Sequence, residues 1–224
     1  MLDPRRIMKE ETILKNEWIK HYNLTAVSTY KYYKIVGCIA IGFEQVRTQG
    51  EIQPHIVVYP LWKATIKDCF SDPYVLHWIE DRKGFGYQIP LSEMLQKKDE
   101  IFSNAEKYLE FNLKNEINKN SILRFIDKYA LENKGIPSSL RHIIELKIYL
   151  STFLNDKDLF DKTVSKMDKM YASINQEVFD YWFGNYQKWK NELALVFSKR
   201  QDVLNLVSEN IANCRIKHIT TILQ

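Results

Sequence analysis

The stretch GFEQVRTQGEIQPHIVVYPLW, residues 42–62, decides the fold of the first part of the chain. Its Tyr, Ile and Val content, and that of the residues before it, favours extended strands. The residues TQGE at 48–51 supply a turn between two strands. Pro54 and Pro60 cannot donate hydrogen bonds to a neighbouring strand, so we expect the second strand to lie at a sheet edge or to end near Tyr59. The sequence therefore predicts a β-hairpin whose second strand is an edge strand or ends near Tyr59.

Apolar side chains occupy both faces of the strand that enters this hairpin. One face carries Ile39, Ile41 and Phe43, and the other carries Val36, Cys38 and Ala40. A strand that is apolar on both faces is typically covered on both. We therefore expect the segment that starts at Ile35 to run as one strand in the centre of its sheet.

Glycine and proline divide the chain near Pro90. Five of the seven Gly and five of the six Pro lie in residues 1–90, and both residue types are costly inside helices. Before the strands, Asp3 is placed to cap a helix that has Pro4 at its first position and ends near Tyr22 or Asn23. We predict a mixed part at 1–90 and an all-helical part at 91–224.

Helical spacing of apolar residues dominates after Ser92. The predicted helices start at Ser92, at 121, near Ser138, at 155–158, at 174 and at Asp202, and the last of them reaches Ile222. The third, LRHIIELKIYLSTFL, is apolar nearly all round and is expected to be the most buried. The fold class is therefore α+β: an N-terminal helix and a small antiparallel sheet, followed by about six antiparallel helices.

Composition excludes several classes of protein. Hydrophobic residues make up 45% of the chain and charged residues 27%, which is typical of a folded globular protein. No apolar run reaches the ~18–20 residues of a membrane span, and the first residues lack the apolar core of a secretory signal. We therefore expect a cytoplasmic protein with no membrane segment. The net charge of +4 is too small to predict nucleic-acid binding by itself.

The sequence carries no recognisable catalytic or metal-binding motif. The three cysteines are far apart, and neither a phosphate-binding glycine loop, nor a GxSxG turn, nor HExxH occurs. His142 and Glu145 share a helix face, but a metal site needs further ligands, so we interpret them as a surface or core-rim pair. We expect no metal and no cofactor, and we favour a protein that is not an enzyme.

The polar residues of the hairpin are the candidate binding residues. Glu44, Gln45, Arg47, Gln53 and His55 lie near the turn, where solvent-facing side chains are expected. We assign a binding edge to Arg47, Gln53, His55, Tyr59 and Trp62. An open edge at Pro54 would also allow two copies of the chain to pair as a homodimer.

Two stretches favour nucleic acid as an alternative partner. STYKYYK, residues 28–34, interleaves Tyr with Lys, which could stack bases and hold phosphates, although a solvent-facing strand has the same pattern. KWKNELALVFSKR, residues 188–200, comes nearest to a basic helix face. A solvated surface is the simpler interpretation of both stretches.

The layout of the chain resembles a family of small bacterial α+β proteins. The resemblance rests on KYYKIVGCIAIGFEQVR, the turn, IQPHIVVYPLW, the helix before them and FIDKYALE in a later helix, within residues 5–135. Several such proteins are encoded beside toxins and resemble immunity proteins of interbacterial competition. The resemblance implies a helix, a β-meander and further helices, and it carries no functional residue over to this chain.

We therefore expect a cytosolic protein that binds another protein, as an immunity or antitoxin-type inhibitor of a toxin. The alternative is a nucleic-acid-binding or nucleic-acid-processing protein, for example in phage defence. A third hypothesis is an enzyme whose catalytic residues are dispersed along the chain.

Overall fold

The structure, a computed structural model, describes residues 4–48 and 50–223, with side chains from residue 9 onward. The predicted cap Asp3 and one residue of the predicted turn, Gln49, lie outside the described residues.

Helices take up most of the described chain. Their bounds are α1 Pro4–Tyr22, α2 Ile66–Cys69, α3 Leu91–Leu109, α4 Lys119–Glu132, α5 Pro137–Leu154, α6 Lys157–Tyr171, α7 Gln176–Phe183, α8 Tyr186–Ala194 and α9 Arg200–Asn213. A short 3₁₀ helix, Phe197–Lys199, precedes α9.

The strands are shorter and lie mainly in the first part of the chain. Their bounds are β1 Thr25–Ser28, β2 Lys31–Val36, β3 Ile39–Thr48, β4 Glu51–Pro60, β5 Val75–Trp78, β6 Ile89–Pro90, β7 Ile117–Asn118, β8 Ile219–Thr220 and β9 Ile222–Leu223. The predicted α+β class is confirmed. The structure has an N-terminal helix, a small sheet that is largely antiparallel and a C-terminal part of several helices.

The main sheet has the order β1-β2-β3-β4-β5, with β6 paired to β4 and β8 paired to β2. The hairpin of β3 and β4 is present as predicted. The segment from Ile35, however, is not one strand, because the chain turns between Val36 and Ile39 and forms a second hairpin, β2–β3. Gly37 makes this turn with a φ of 57°, a conformation that glycine adopts without steric cost.

Of the two alternatives for the second strand, the edge strand at Pro54 is wrong and the end near Tyr59 is confirmed, since β4 ends at Pro60. Strand β4 lies between β3 and β5, and the carbonyl oxygen of Pro54 accepts a hydrogen bond of 3.0 Å from the Ile79 backbone amide. The strand edge on which we based a homodimer is therefore occupied within the chain.

The chain divides into two compact units, each built from segments that are separate in sequence. The first comprises the described residues of Met1–Val58, Leu76–Ser121 and Arg215–Leu223, and the second comprises Tyr59–Val75 and Ile122–Cys214. These units and the predicted parts at 1–90 and 91–224 divide the chain at different places.

An aromatic cluster forms the core of the first unit. Trp18 and Tyr22 on α1 meet Phe43 of β3, with ring centroids 4.5 and 4.6 Å from it. Phe102 on α3 closes the cluster at 4.7 Å from Trp18, and the Tyr22 hydroxyl donates to the Phe102 carbonyl oxygen at 3.1 Å. The packing of α1 and α3 against the sheet therefore depends on rings contributed by all three elements.

Two of the predicted helices differ from the structure. The helix predicted over 174–198 is two helices, because Gly184 has a φ of 80° and Asn185 caps α8 by accepting from the Lys188 amide at 2.9 Å. The helix predicted from Asp202 to Ile222 stops at Asn213, and the residues beyond it include β8 and β9. His218 therefore does not lie on a helix, and its carbonyl oxygen accepts from the Ile35 amide at 2.9 Å.

Candidate functional site

The polar residues assigned to the hairpin edge are engaged within the first unit. Arg47 is exposed on β3, and its Nη1 donates to Glu11 Oε1 at 3.1 Å and to the Tyr30 hydroxyl at 3.3 Å. Gln53 Nε2 lies 3.4 Å from Thr48 Oγ1 within the hairpin. The Arg47 contacts hold the hairpin to its neighbours.

The expectation of solvent-facing side chains is wrong for His55 and Gln45, which are both buried. His55 Nδ1 donates to the Gln53 carbonyl oxygen at 3.0 Å, and its ring stacks on Trp78 with centroids 5.8 Å apart. Burial lowers the pKa of His55 below its ordinary value, which favours the neutral ring.

The two aromatic residues of the predicted edge belong to the second unit and are also buried. Tyr59 packs against Phe70 with ring centroids 5.1 Å apart. Trp62 stacks on Tyr149 at 4.6 Å with nearly parallel rings. Trp62 also lines a cavity of the second unit.

A buried carboxylate organises the second unit. Glu145 lies on α5, one turn after Arg141 and one turn before Tyr149, so all three side chains emerge on one face of the helix. Glu145 Oε1 accepts from Arg141 Nε at 2.9 Å and from Trp189 Nε1 at 3.1 Å.

The second oxygen of this carboxylate is also fully used. Glu145 Oε2 accepts from the Tyr74 hydroxyl and lies 3.4 Å from Lys63 Nζ. A carboxylate offers about four acceptor positions, and four donors from four different places in the chain fill them here. Glu145 therefore anchors its neighbours and has no acceptor position left for a ligand or a reacting proton.

The charge of Glu145 is stabilised by these donors. Burial is the largest single influence and raises the pKa, but Lys63, Tyr74 and Arg141 together outweigh it, so the pKa lies below the ordinary value of 4.5. Burial and the neighbouring carboxylate raise the pKa of Tyr74, which keeps its hydroxyl protonated as a donor.

The loop that carries Lys63 is fixed by a buried amide. Asn210 on α9 donates from Nδ2 to the carbonyl oxygens of Leu61 and Lys63, at 3.0 and 2.8 Å. Lys63 Nζ also lies 4.9 Å from the centre of the Tyr74 ring, a cation–π contact. The lysine is thus held beside Glu145 from both its backbone and its side chain.

Two cavities, each of about 280 Å³, open beside this network and share Lys63 and Arg141. The first is also lined by Asp68, Ser71, Asp72, Tyr74, His142 and Phe183. The second is also lined by Trp62, Ala64, Glu145, Tyr149, Trp189, Glu192, Leu193 and Val196. We call the second one the Trp62 cavity.

His142 lies in the first cavity and is oriented from two sides. Its ring stacks on Tyr74 at 4.3 Å, and its Nε2 lies 3.2 Å from Asp72 Oδ2. Burial lowers the pKa of His142 below its ordinary value, although the charge of Asp72 opposes the shift. His142 and Glu145 therefore have different hydrogen-bond partners. No group of three or more His, Cys, Asp or Glu side chains among residues 9–48 and 50–223 is arranged to hold a metal ion.

Sequence reasoning missed most of this network. It singled out His142 and Glu145 but not Lys63, Tyr74 or Trp189. One signal was present: Glu145 is an acidic residue in a helix predicted to be the most buried, and a buried carboxylate requires donors.

A second feature of this unit is an exposed aromatic surface on α7. Tyr181 is 80% exposed and Trp182 is 70% exposed, with their ring centroids 5.2 Å apart. Helical spacing places Glu177 and Val178, both exposed, on the same face. We call these four residues the α7 surface. Its opposite face is anchored by buried Phe179, which packs on Trp189 at 5.4 Å.

Part of each stretch that favoured nucleic acid is engaged inside the units. Tyr32, Tyr33 and Lys34 are buried, and Lys34 Nζ donates to the Leu113 carbonyl oxygen. In the second stretch Lys190 pairs with Asp168 at 2.6 Å, and Arg200 donates to two backbone carbonyl oxygens of α5. The interpretation as a solvated surface is therefore wrong for residues 32–34, whereas Ser28, Thr29 and Lys31 are exposed.

Comparison of the chain with protein-family models, with curated proteins and with solved structures finds no match. Within residues 4–48 and 50–223, no helix has both the length and the apolar character required to cross a bilayer.

Proposed function

We propose that the protein acts by binding another protein through the α7 surface, and that this partner is a toxin that the binding inhibits. The observation that carries the proposal is the exposure of Tyr181 and Trp182, 80% and 70%, on a short helix whose other face is anchored. Tyr and Trp are enriched among the residues that contribute most to protein–protein binding, and an anchored helix loses little freedom when it binds.

The charges around these rings favour a protein over a nucleic acid. Helix α7 contains the acidic residues Glu177 and Asp180 and no basic residue. A phosphate backbone would be repelled by this surface, whereas stacked bases are normally accompanied by Lys or Arg. The complementary partner surface is an apolar pocket with a basic rim.

The choice of a toxin as the partner comes from the layout resemblance to immunity-type proteins. It predicts that the partner inhibits growth when it is expressed alone and that co-expression of this chain restores growth. A partner that is not toxic would contradict the toxin part of the proposal and leave the binding part standing.

The binding part is tested with the purified partner after its identification by affinity purification from the native host. Isothermal titration calorimetry would compare the wild-type chain with Trp182→Ala. We expect Kd to rise by ~30-fold or more, since a central aromatic anchor contributes about 2 kcal/mol or more.

Phe85→Ala is the matched control, because Phe85 is an aromatic side chain with the same 70% exposure, outside α7. This variant should bind the partner like the wild type. Equal affinity of wild type and Trp182→Ala would contradict the proposal. So would a nucleic-acid complex that forms with the wild type and is lost with Trp182→Ala.

A further inference from the structure

Three side chains that line the Trp62 cavity, those of Trp62, Arg141 and Lys63, carry donor groups that the chain does not fully use. Trp62 is only 4% exposed, and its Nε1–H has no hydrogen-bond partner among the described residues. Arg141 uses Nε for Glu145, and within residues 9–48 and 50–223 neither of its terminal nitrogens has an acceptor. Lys63 Nζ has a single carboxylate oxygen nearby, at 3.4 Å. A buried donor without an acceptor is costly, so the Trp62 N–H indicates that something else supplies its acceptor atom. The side chains of Arg141 and Lys63 are 29% and 33% exposed, so their remaining donors are open to water or to a ligand.

The charges inside this network do not balance. Lys63 and Arg141 bring two positive charges, and the buried carboxylate beside them, Glu145, brings one negative charge. Glu192 also lines the cavity; it is exposed, and its charge acts on Tyr149 of the same cavity. The buried and half-buried groups of the cavity therefore carry one more positive than negative charge, which an anion would neutralise, and the exposed carboxylate of Glu192 lines the same cavity.

The geometry of Arg141 suits an oxyanion. Its Nε–Glu145 bond and its position over the Phe183 ring, 5.1 Å from the ring centre, fix the plane of the guanidinium group. The two terminal nitrogens of a fixed guanidinium group present parallel donors, the geometry that binds carboxylates and phosphates in a bidentate manner.

Apart from Glu192, the remaining walls of the cavity are apolar or aromatic. Trp62 and Tyr149 stack with their rings 5° from parallel, and Trp189, Leu193 and Val196 line other parts of the cavity. A volume of about 280 Å³ lies at the lower limit for sites that bind small molecules. The cavity therefore suits a small ligand with one charged end and a flat apolar body.

We propose that the Trp62 cavity binds a small organic oxyanion, in which a carboxylate or phosphate group accepts hydrogen bonds from Arg141, Lys63 and Trp62 while an apolar body contacts the aromatic walls. This site is independent of the protein-binding role, since none of its donors belongs to the α7 surface.

The test uses the whole chain of residues 1–224 and four probes in isothermal titration calorimetry: benzoate, phenyl phosphate, inorganic phosphate and benzyl alcohol. Saturable binding of benzoate or phenyl phosphate is the expected result, and the tighter of the two identifies the charged group. Benzyl alcohol lacks the charge and should not bind. Inorganic phosphate lacks the body and should bind more weakly than phenyl phosphate.

Two conservative variants keep the test independent of folding. Trp62→Phe retains the stacked ring and removes the N–H, and Arg141→Lys retains the charge and removes the paired donors. Each should weaken benzoate or phenyl phosphate binding by ~10-fold, the value of one hydrogen bond to a charged group. Circular dichroism would show that both variants remain folded.

Lys190→Met is the control, because Lys190 is a half-buried cation of the same unit that pairs with Asp168 and does not line the cavity. Its affinity for the probes should equal that of the wild type. The proposal is overturned if none of the charged probes binds saturably at millimolar concentration. It is also overturned if inorganic phosphate binds as tightly as phenyl phosphate, or if folded Trp62→Phe and Arg141→Lys bind like the wild type.

Discussion

At the scale of single residues, Glu145 connects parts of the chain that are distant in sequence. Its hydrogen-bond partners lie 82, 71 and 44 positions away at Lys63, Tyr74 and Trp189. A buried carboxylate whose donors come from several elements stabilises their arrangement, provided that every donor is kept.

The first prediction at this scale concerns Glu145→Gln. The amide removes the negative charge and presents a donor to groups that are themselves donors, so we expect the free energy of unfolding to fall by about 3 kcal/mol. Urea denaturation followed by circular dichroism would measure the change. Glu192→Gln is the control, because Glu192 is exposed and should tolerate the same substitution.

The effect of Glu145→Gln should depend on pH. The folded-state pKa of Glu145 is lowered from 4.5, so the stability contributed by its charge is fully present above that pH and is lost as the pH falls through the folded value. The stability difference between wild type and variant should therefore shrink in acid. A difference that stayed constant or grew below pH 4.5 would contradict this account of the network.

At the scale of elements, the β2–β3 hairpin depends on a close approach of two backbones. Gly42 of β3 pairs with Tyr33 of β2. A Cβ atom at position 42 would overlap the carbonyl oxygen of Tyr32 and lie 2.9 Å from its carbonyl carbon, and a backbone group of a central strand cannot easily move away.

The prediction at this scale is that Gly42→Ala separates the two strands and costs ~3 kcal/mol of stability, the upper part of the range for overpacking. Gly50→Ala serves as a comparison, because position 50 has open space around it but a φ of 91°, so that only conformational strain of ~1–2 kcal/mol applies. Thermal unfolding of both variants checks the order. The steric explanation would fail if Gly42→Ala were no less stable than Gly50→Ala.

Local signals explain why most elements could be predicted from the sequence. A proline marks the start of α5 and Asp156 marks the start of α6, and each acts within a few residues of that boundary. The first helix ends at Tyr22, as predicted. The same kind of signal, Gly184 followed by Asn185, was present within the predicted fifth helix but was outweighed there by the apolar periodicity on both sides.

Pairing between distant segments could not be predicted in this way. Pro54 indicates an edge strand only if no other segment pairs with its strand. Here β5 and β6, which come from residues 75–90, both pair with β4. Likewise, the apolar spacing of Ile211, His218 and Ile222 fits a helix, yet the residues after Asn213 pair with β2 and β7. The Glu145 network depends on the same kind of distant contact.

At the scale of the whole molecule, both compact units are assembled from separate segments, and the candidate sites lie in the second unit. This unit presents a small cavity, in which the Trp62 N–H has no acceptor among the described residues, and a helix with two exposed aromatic rings. The central claim of the account is that the α7 surface binds another protein.

Site-specific photo-crosslinking tests this claim most directly. A benzophenone amino acid would replace Trp182 in one form of the protein and Phe85 in another, and cells of the native host would be irradiated. The account predicts a discrete protein adduct from position 182 that mass spectrometry identifies and that position 85 does not give. A nucleic-acid adduct, the same adduct from both positions, or no protein adduct at position 182 would contradict it.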